Sequence, residues 1–528
     1  MAEKKAIHGS VVIAFDLGTG GKKMGGLTGL VIRCRDGKVL GEATAGYDMV
    51  EGLPGDHKEQ RPSDWVNAFR TVMNSLHQQF ELGRNVVCIG LAGQMHGEVG
   101  TDEAGQVWPT ARLWCDDRNA EEGQELTKLF GTKVPARMTV ARWLWTCRYQ
   151  PEKAKACTAL TTPIGWLFRQ LTGQRCLGIG EASGMFPVDP RTGQYQPELV
   201  AKFNTLTADC GVKPIEELLP RICCGGSYCG GELNKSGARL TGLPIGTPVA
   251  PAEGDQPAAL AGSFIGEPGS LAYSFGTSTC GNLLSATPFV GVYQPIDYFL
   301  DPIGQYVRMI WTRSGTTFVN LIMELFRQAR GDEKIGDTFA ALMPLAAKAR
   351  KDAGGLLGLP FMGIEPGIGL TVNGVPALLG MTGDNFTVGN LIHLCFTLSV
   401  FGLKNGLDVL GQQGIRPSQI VVTGGATKDE AYIAKLIAGV TATPVCVRRA
   451  ANEGTAYGAG LLAIFAWQRQ ANPDLTYAEF LQKMLGQETG KEYRPDPAEV
   501  EIYEAMYRRY SALMPTEQAL LVSGAFGD

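Results

Sequence analysis

A chain of 528 residues with 44% hydrophobic and 19% charged side chains carries ample core for about two to four domains, which excludes a disordered polymer. Its formal charge of −4 leaves no cationic excess to neutralise a phosphate backbone, so nucleic acid is not an expected partner. The anomaly is glycine, 69 residues or about 13% against a usual ~7%, without the strict period of collagen. That much glycine in a folded chain predicts many tight turns and close backbone approaches.

In chain order, the first apolar run is Val11–Phe15, which stops at Asp16. It is shorter than the ~7–15-residue core of a signal peptide and predicts a buried strand that ends in a glycine turn. Val31 to Cys34 and Val39-Leu40, around Asp36-Gly37, continue it as a hairpin. Trp65, Val66, Phe69, Val72, Met73 and Leu76 fall at helical spacing, with Ser63 as the expected N-cap. Val86–Leu91 is a further strand running into AGQMHG. Cys223, Cys224 and Cys229 lack a fourth ligand at zinc spacing and read as a loop. The scattered cysteines fit a reducing cytoplasm, and no uninterrupted apolar run nears the ~18 residues of a membrane span.

The second half repeats this grammar. Leu271–Phe275 ends in GTSTCG, a helical pattern covers about 387–410, and Ile420–Thr423 ends in Gly424-Gly425. A helix near 428–440, a strand at Val445–Val447 and a helix from Glu453 follow. The alternation predicts two α/β units facing a cleft, an arrangement that suggests duplication. Gly458-Ala459-Gly460 resembles a dinucleotide fingerprint but lies inside a helical pattern, so it predicts close helix packing instead.

No GxxxxGK[ST] loop occurs. DLGTGGKK (16–23) offers glycine N–H groups and the Thr19 hydroxyl to a phosphate, and Asp16 can hold Mg²⁺, commonly through water. An ordinary hairpin turn would look the same. SFGTST (274–279) supplies a second Gly-Thr turn, and Gly424-Gly425-Ala426 a third close-approach loop, suited to a flat adenosine.

These pieces resemble the FGGY family of carbohydrate kinases, from Asp16 to about Trp467. The resemblance is carried by DLGTG (16–20), GLAGQMHG (90–97), LWCDDR (113–118), EGDQPAALAG (253–262), SFGTST (274–279), VVTGGATKDE (421–430) and EGTAYGAGLLA (453–463). QMHG with LW-x-D-x-R about 20 residues later marks the ketose kinases of the family. The resemblance implies an α/β fold of two actin-like (ribonuclease H-like) ATPase domains around a central cleft. Residues 1–250 would form the sugar side and 251–528 the nucleotide side, with a C-terminal helix at about 498–513 docking back on the first.

It further implies transfer of the ATP γ-phosphoryl to a terminal hydroxyl of a ketopentose, D-xylulose to its 5-phosphate as the best single substrate. Ribulose, L-xylulose and sedoheptulose stay open, as do a polyol, a non-catalytic ATP switch and a sugar-binding regulator. Asp255 would be the general base, since a carboxylate must accept the hydroxyl proton. Gln94, Met95, His96, Trp114, Asp116 and Gln256 would contact sugar. Gly18, Thr19, Lys23, Gly276, Thr277, Gly424, Gly425 and Lys428 would hold ATP, with Asp16 on Mg²⁺ through water. Asp116 with Arg118 could equally be a structural ion pair, and Lys23 a solvated lysine. A cytoplasmic enzyme without membrane partners is expected, and a homodimer stays open. Departures lie at Gln256, where the family has asparagine, at 356–369, and at Arg142-Trp143. They put the identity of the sugar, not the phosphotransfer, in question.

Overall fold

The computed structural model describes residues 4–20, 26–224, 229–365, 368, 370, 374–423, 430–448, 454–486 and 490–522. Strands β1 (Val11–Leu17), β2 (Leu27–Arg33) and β3 (Val39–Ala45) form an antiparallel meander, the hairpin the turn residues predict. Helix α1 (Pro62–Gln79) buries Trp65, Phe69, Val72, Met73 and Leu76 against it, the stripe that helical spacing requires. Its start differs from expectation. Arg61 holds the N-cap position and Pro62 opens the helix, whose fixed φ suits that first position, so Ser63 lies inside the first turn.

Strand β4 (Val86–Gly93) then inserts parallel to β1, pairing Asp16 with Ala92 and Leu17 with Gly93. Helices α2 (Thr139–Tyr149) and α3 (Ile179–Met185) follow. Short strands β5 (Gly231–Glu232), β6 (Pro248–Val249) and β7 (Glu253–Gly254) complete a seven-stranded sheet of order β5-β6-β4-β1-β2-β3, with β7 also on β4. The first sheet thus keeps residues just past the expected division at 250. Cys223 belongs to a short strand, Arg221–Cys223, rather than a loop, and its sulfur accepts from Arg221 Nη1 at 2.7 Å. Among the described residues no cluster of His, Cys, Asp and Glu gathers to hold a metal.

After α4 (Asp255–Gly262), a second sheet repeats the plan. Strands β8 (Ser270–Phe275), β9 (Thr279–Ser285) and β11 (Tyr306–Thr312) form the meander, with β10 (Asp297–Leu300) at its edge. Helix α5 (Val388–Gln412) precedes β12 (Gln419–Thr423), which lies parallel to β8 as β4 lies parallel to β1. By length and composition α5 could cross a membrane, yet Leu394, Cys395, Val400 and Phe401 are fully buried in the second core. Helix α6 (Glu430–Thr441) and β13 (Val445–Val447) continue the unit.

Helix α7 (Gly454–Ala471) returns to the first sheet and packs on β1, β2, β4 and α4. Here the Gly-Ala-Gly run does what packing demands: a Cβ at Gly458 would overlap the Ala258 carbonyl oxygen, and one at Gly460 would overlap Ile32. Strand β14 (Lys491–Tyr493) closes the second sheet. The last helix, α8 (Pro497–Val522), does not dock on the first half as expected. It seats Tyr503, Met506 and Tyr510 in the second core, with Tyr507 and Tyr510 rings 5.1 and 5.0 Å from that of Phe401. The returning helix is α7.

Candidate active site

Parallel register brings three distant segments to one sheet edge. β1 ends at Leu17, β4 beside it at Gly93, and β7 pairs Gly254 with Gly93, so Gly18, Gln94 and Asp255 emerge together. Asp255 is the first residue of α4, where the N-terminal helix field favours a carboxylate.

Asp255 Oδ1 accepts the Gln256 N–H at 2.8 Å. Burial raises its pKa to about 6, against the opposing pull of that N–H and of Arg137. Burial, and secondarily the charge of Asp255, raise Asp16 to about 8. Asp16 Oδ1 is buried with no hydrogen-bond partner among the described residues. A carboxylate so placed fits a hydrated Mg²⁺, whose charge would restore its ionised form.

The first glycine loop is braced from several sides. Gly18 N–H donates to the Gly26 carbonyl at 2.9 Å, Tyr47 Oη donates to the Gly18 carbonyl, and Gln60 Nε2 to that of Thr19. Gly20 has φ +79°, and a Cβ there would press on Tyr47 at 2.9 Å, so glycine is needed. Trp114 Nε1 donates to Thr19 Oγ1 at 2.8 Å, and Gln94 Nε2 donates to Gln60 Oε1 at 3.0 Å and to the Gly18 carbonyl at 3.4 Å. Two residues expected to touch sugar therefore brace the first glycine loop. Asp116 is buried in an ion pair with Arg118 at 2.6 Å and accepts the Lys58 N–H at 2.8 Å, so its oxygens serve this structural pair.

Met95 and His96 are buried beside Gly184 and Gly254, where added Cβ atoms would strike them. His96 has φ +68°, which costs a non-glycine residue strain. Its Nδ1 lies 2.9 Å from the Gly184 carbonyl, so Nδ1 carries the proton and Nε2 is left as an acceptor. Burial first, and the Arg137 charge second, lower its pKa to about 3, so the ring is neutral. Gln256 Oε1 accepts from Asn282 Nδ2 at 2.9 Å and from the Cys280 thiol at 3.4 Å.

On the second half, Gly276 and Thr277 follow β8. The Thr316 N–H donates to the Gly276 carbonyl at 2.9 Å and Thr317 Oγ1 to that of Thr277 at 3.1 Å. Glu365 accepts the Arg313 N–H at 2.9 Å and that of Ser314, anchoring the same corner. Lys23, Gly424, Gly425 and Lys428 lie outside the described residues.

Two acids escaped the sequence reading. Glu253 and Glu181 are fully buried beneath Asp255, and Glu253 Oε2 accepts the Glu181 N–H at 3.0 Å. Burial raises both, Glu253 to about 8. Glu253 stands next to the GDQ motif, but nothing in GIGEASGM marks Glu181. Arg137, Asp297 and Trp311, also unmarked, meet at the other wall.

Residues 11–262 match the N-terminal domain, and residues 271–467 the C-terminal domain, of the FGGY family of carbohydrate kinases. The xylulose kinase of Haemophilus influenzae is 25% identical over 516 residues, covering 94% of this chain and 98% of that one. Among solved structures, xylulose kinase from Rhodospirillum rubrum superposes with a TM-score of 0.79 at 22% identity, over 96% of this chain and 98% of that one. Gluconate kinase from Lactobacillus acidophilus gives 0.81 at 18%, over 97% and 98%. Two sheets of one topology, each opening on a glycine loop, are the fold these chains share.

Proposed function

The chain belongs to the FGGY family of carbohydrate kinases, a phosphotransferase acting on a sugar, and from that premise we propose that it phosphorylates the terminal hydroxyl of a ketopentose. D-Xylulose to its 5-phosphate is the best single reaction, in keeping with relatives named xylulose kinase. The observation that carries the reading is Asp255, a half-buried carboxylate at a helix start with its pKa raised to about 6, set beside Asp16 and the first glycine loop. It is a base mostly ionised at neutral pH, and still basic enough to take a proton.

In this reading the sugar hydroxyl gives its proton to Asp255 as the γ-phosphoryl arrives in line. His96, neutral and with Nε2 free to accept, orients a second hydroxyl, while Met95 forms an apolar wall. Gly18 and Thr19 from one half and Gly276 and Thr277 from the other hold the phosphates. When bound, Mg²⁺ supplies positive charge to the phosphates, and Asp16 is the residue that would hold it, through water. Gly424, Gly425, Lys428 and Lys23 are assigned to the nucleotide by motif. The cysteines are scattered without a repeating spacing, which supports a reducing, cytoplasmic setting.

An ADP-release assay across a panel of ketoses, polyols and sugar acids tests the proposal. Turnover that requires a ketopentose, fastest with D-xylulose, is expected. ATP hydrolysis indifferent to every sugar would overturn it.

A further inference from the structure

Arg137 lies in GTKVPARM (131–138), a segment outside every motif above. Val134 and Met138 are buried in the first core and fix its course, so the side chain between them has a defined direction. It crosses to the second half, where Nη2 donates to Asp297 Oδ2 on β10. Trp311 Nε1 donates to the same oxygen at 2.9 Å, and Lys133 Nζ lies 3.0 Å from Oδ1. Two cations thus face one carboxylate. Burial alone would raise the Asp297 pKa, but Arg137 and Lys133 override it and hold the group ionised.

The guanidinium carbon lies 5.2 Å from the Trp311 ring centre, within cation–π range. Trp311 pairs with Cys280 across β9 and β11, and the Cys280 thiol reaches Gln256, the neighbour of Asp255. Met95 packs in one apolar cluster with Cys280 and Trp311 at its margin. Arg137 is therefore set where the first half, with Met95 and Gln256, meets the Cys280–Trp311 edge of the second. Only Nη2 has a hydrogen-bond partner among the described residues, and the side chain keeps 11% exposure. A guanidinium has five donors, so the rest of this fork is left available to a bound ligand.

We propose that Arg137 is a specificity-determining residue that donates hydrogen bonds to the oxygens at the end of the acceptor sugar remote from the phosphorylated hydroxyl. Asp297 and Trp311 hold the guanidinium in place for that contact. The inference rests on the kinase reading of the site, and it deepens that reading by assigning the recognition of the non-reacting end.

Steady-state kinetics at saturating ATP, on wild type, Arg137→Met and Arg137→Lys, test it. Losing a charged hydrogen bond should raise the sugar KM about 10-fold or more in Arg137→Met. The fall in kcat should be smaller, and the KM for ATP unmoved. Arg137→Lys, which keeps the charge, should recover part of the loss. A sugar KM unchanged in Arg137→Met, or a matched loss in kcat and ATP affinity, overturns the inference while leaving the kinase reading intact. If wild type turns over no sugar, the kinase reading fails, and calorimetric titration with the same sugars still reads the contact. Binding weakened by Arg137→Met supports it, and equal binding, or none by wild type, overturns it.

Discussion

Trp114 and Thr19, 95 positions apart, share one hydrogen bond: the indole Nε1–H donates to Thr19 Oγ1 across 2.8 Å. The tryptophan that motif logic assigned to sugar thus has its polar atom engaged with the loop assigned to phosphate. Trp114→Phe keeps the ring and loses the donor. A neutral hydrogen bond contributes roughly 0.5–1.5 kcal/mol, so the KM for ATP should rise about 2–10-fold. The sugar KM should move less. Initial rates with each substrate varied in turn decide it, and a rise confined to sugar would return Trp114 to the sugar pocket.

Asp255→Asn should retain sugar binding and lose roughly 10²–10⁴-fold in kcat, the usual contribution of a general base. The pH profile carries the same assignment. The active form is the carboxylate, and burial places its pKa at about 6. With Mg·ATP saturating, so that Asp16 is held ionised, kcat/KM for sugar should therefore be flat above about pH 7 and fall tenfold per unit below about 6. A profile without that acid limb would show that another group takes the proton.

Strand ends and glycine loops were legible because their signals are local: a short apolar run, then Gly-Thr, states both a strand and its stop. The partners of side chains were not. Asp116 is read as a sugar contact with an ion pair to Arg118 as the alternative, and the Lys58 N–H that helps hold it in that pair lies 58 positions away. Helix α8 shows apolar residues at helical spacing, which promises burial without naming the surface; Phe401 and the bare Gly439 beside Tyr503 supply it. Arg137 and Asp297 are 160 positions apart, and only the folded chain joins them. The positive φ of His96 is likewise imposed from outside, since histidine itself does not favour it.

The buried acids should tilt stability with pH. Burial raises Asp16 and Glu253 to about 8 and Asp301 to about 7, while unfolded carboxyls titrate near 4. Between these limits the folded state binds more protons than the unfolded state, so stability falls as pH rises. The melting temperature of metal-free protein should drop from pH 5.5 to pH 8.5. Asp16→Asn removes one such proton and should shallow the slope. A melting temperature that climbs over that interval would contradict the burial of these groups as protonated acids.

Gly458 tests whether the returning helix positions the base. Helix α7 lies on α4 because Gly458 has no side chain: a Cβ would overlap the Ala258 carbonyl oxygen, and the next nearest atoms are also backbone. Backbone cannot rotate aside, so Gly458→Ala must push the two helices apart. Overpacking of this kind costs ~1–3 kcal/mol, only partly offset by the better helix propensity of alanine. In domains of this size each kcal/mol is worth ~2–4 °C in melting temperature. Because α4 begins at Asp255, the same displacement moves the proposed base, and kcat should fall more than the sugar KM rises. Gly336→Ala is the control, as Gly336 sits in a helix with nothing within 4 Å of its missing Cβ. It should be neutral or slightly stabilising and leave kcat alone. A Gly458→Ala enzyme as stable and as fast as that control would show that α4 is placed by contacts other than α7.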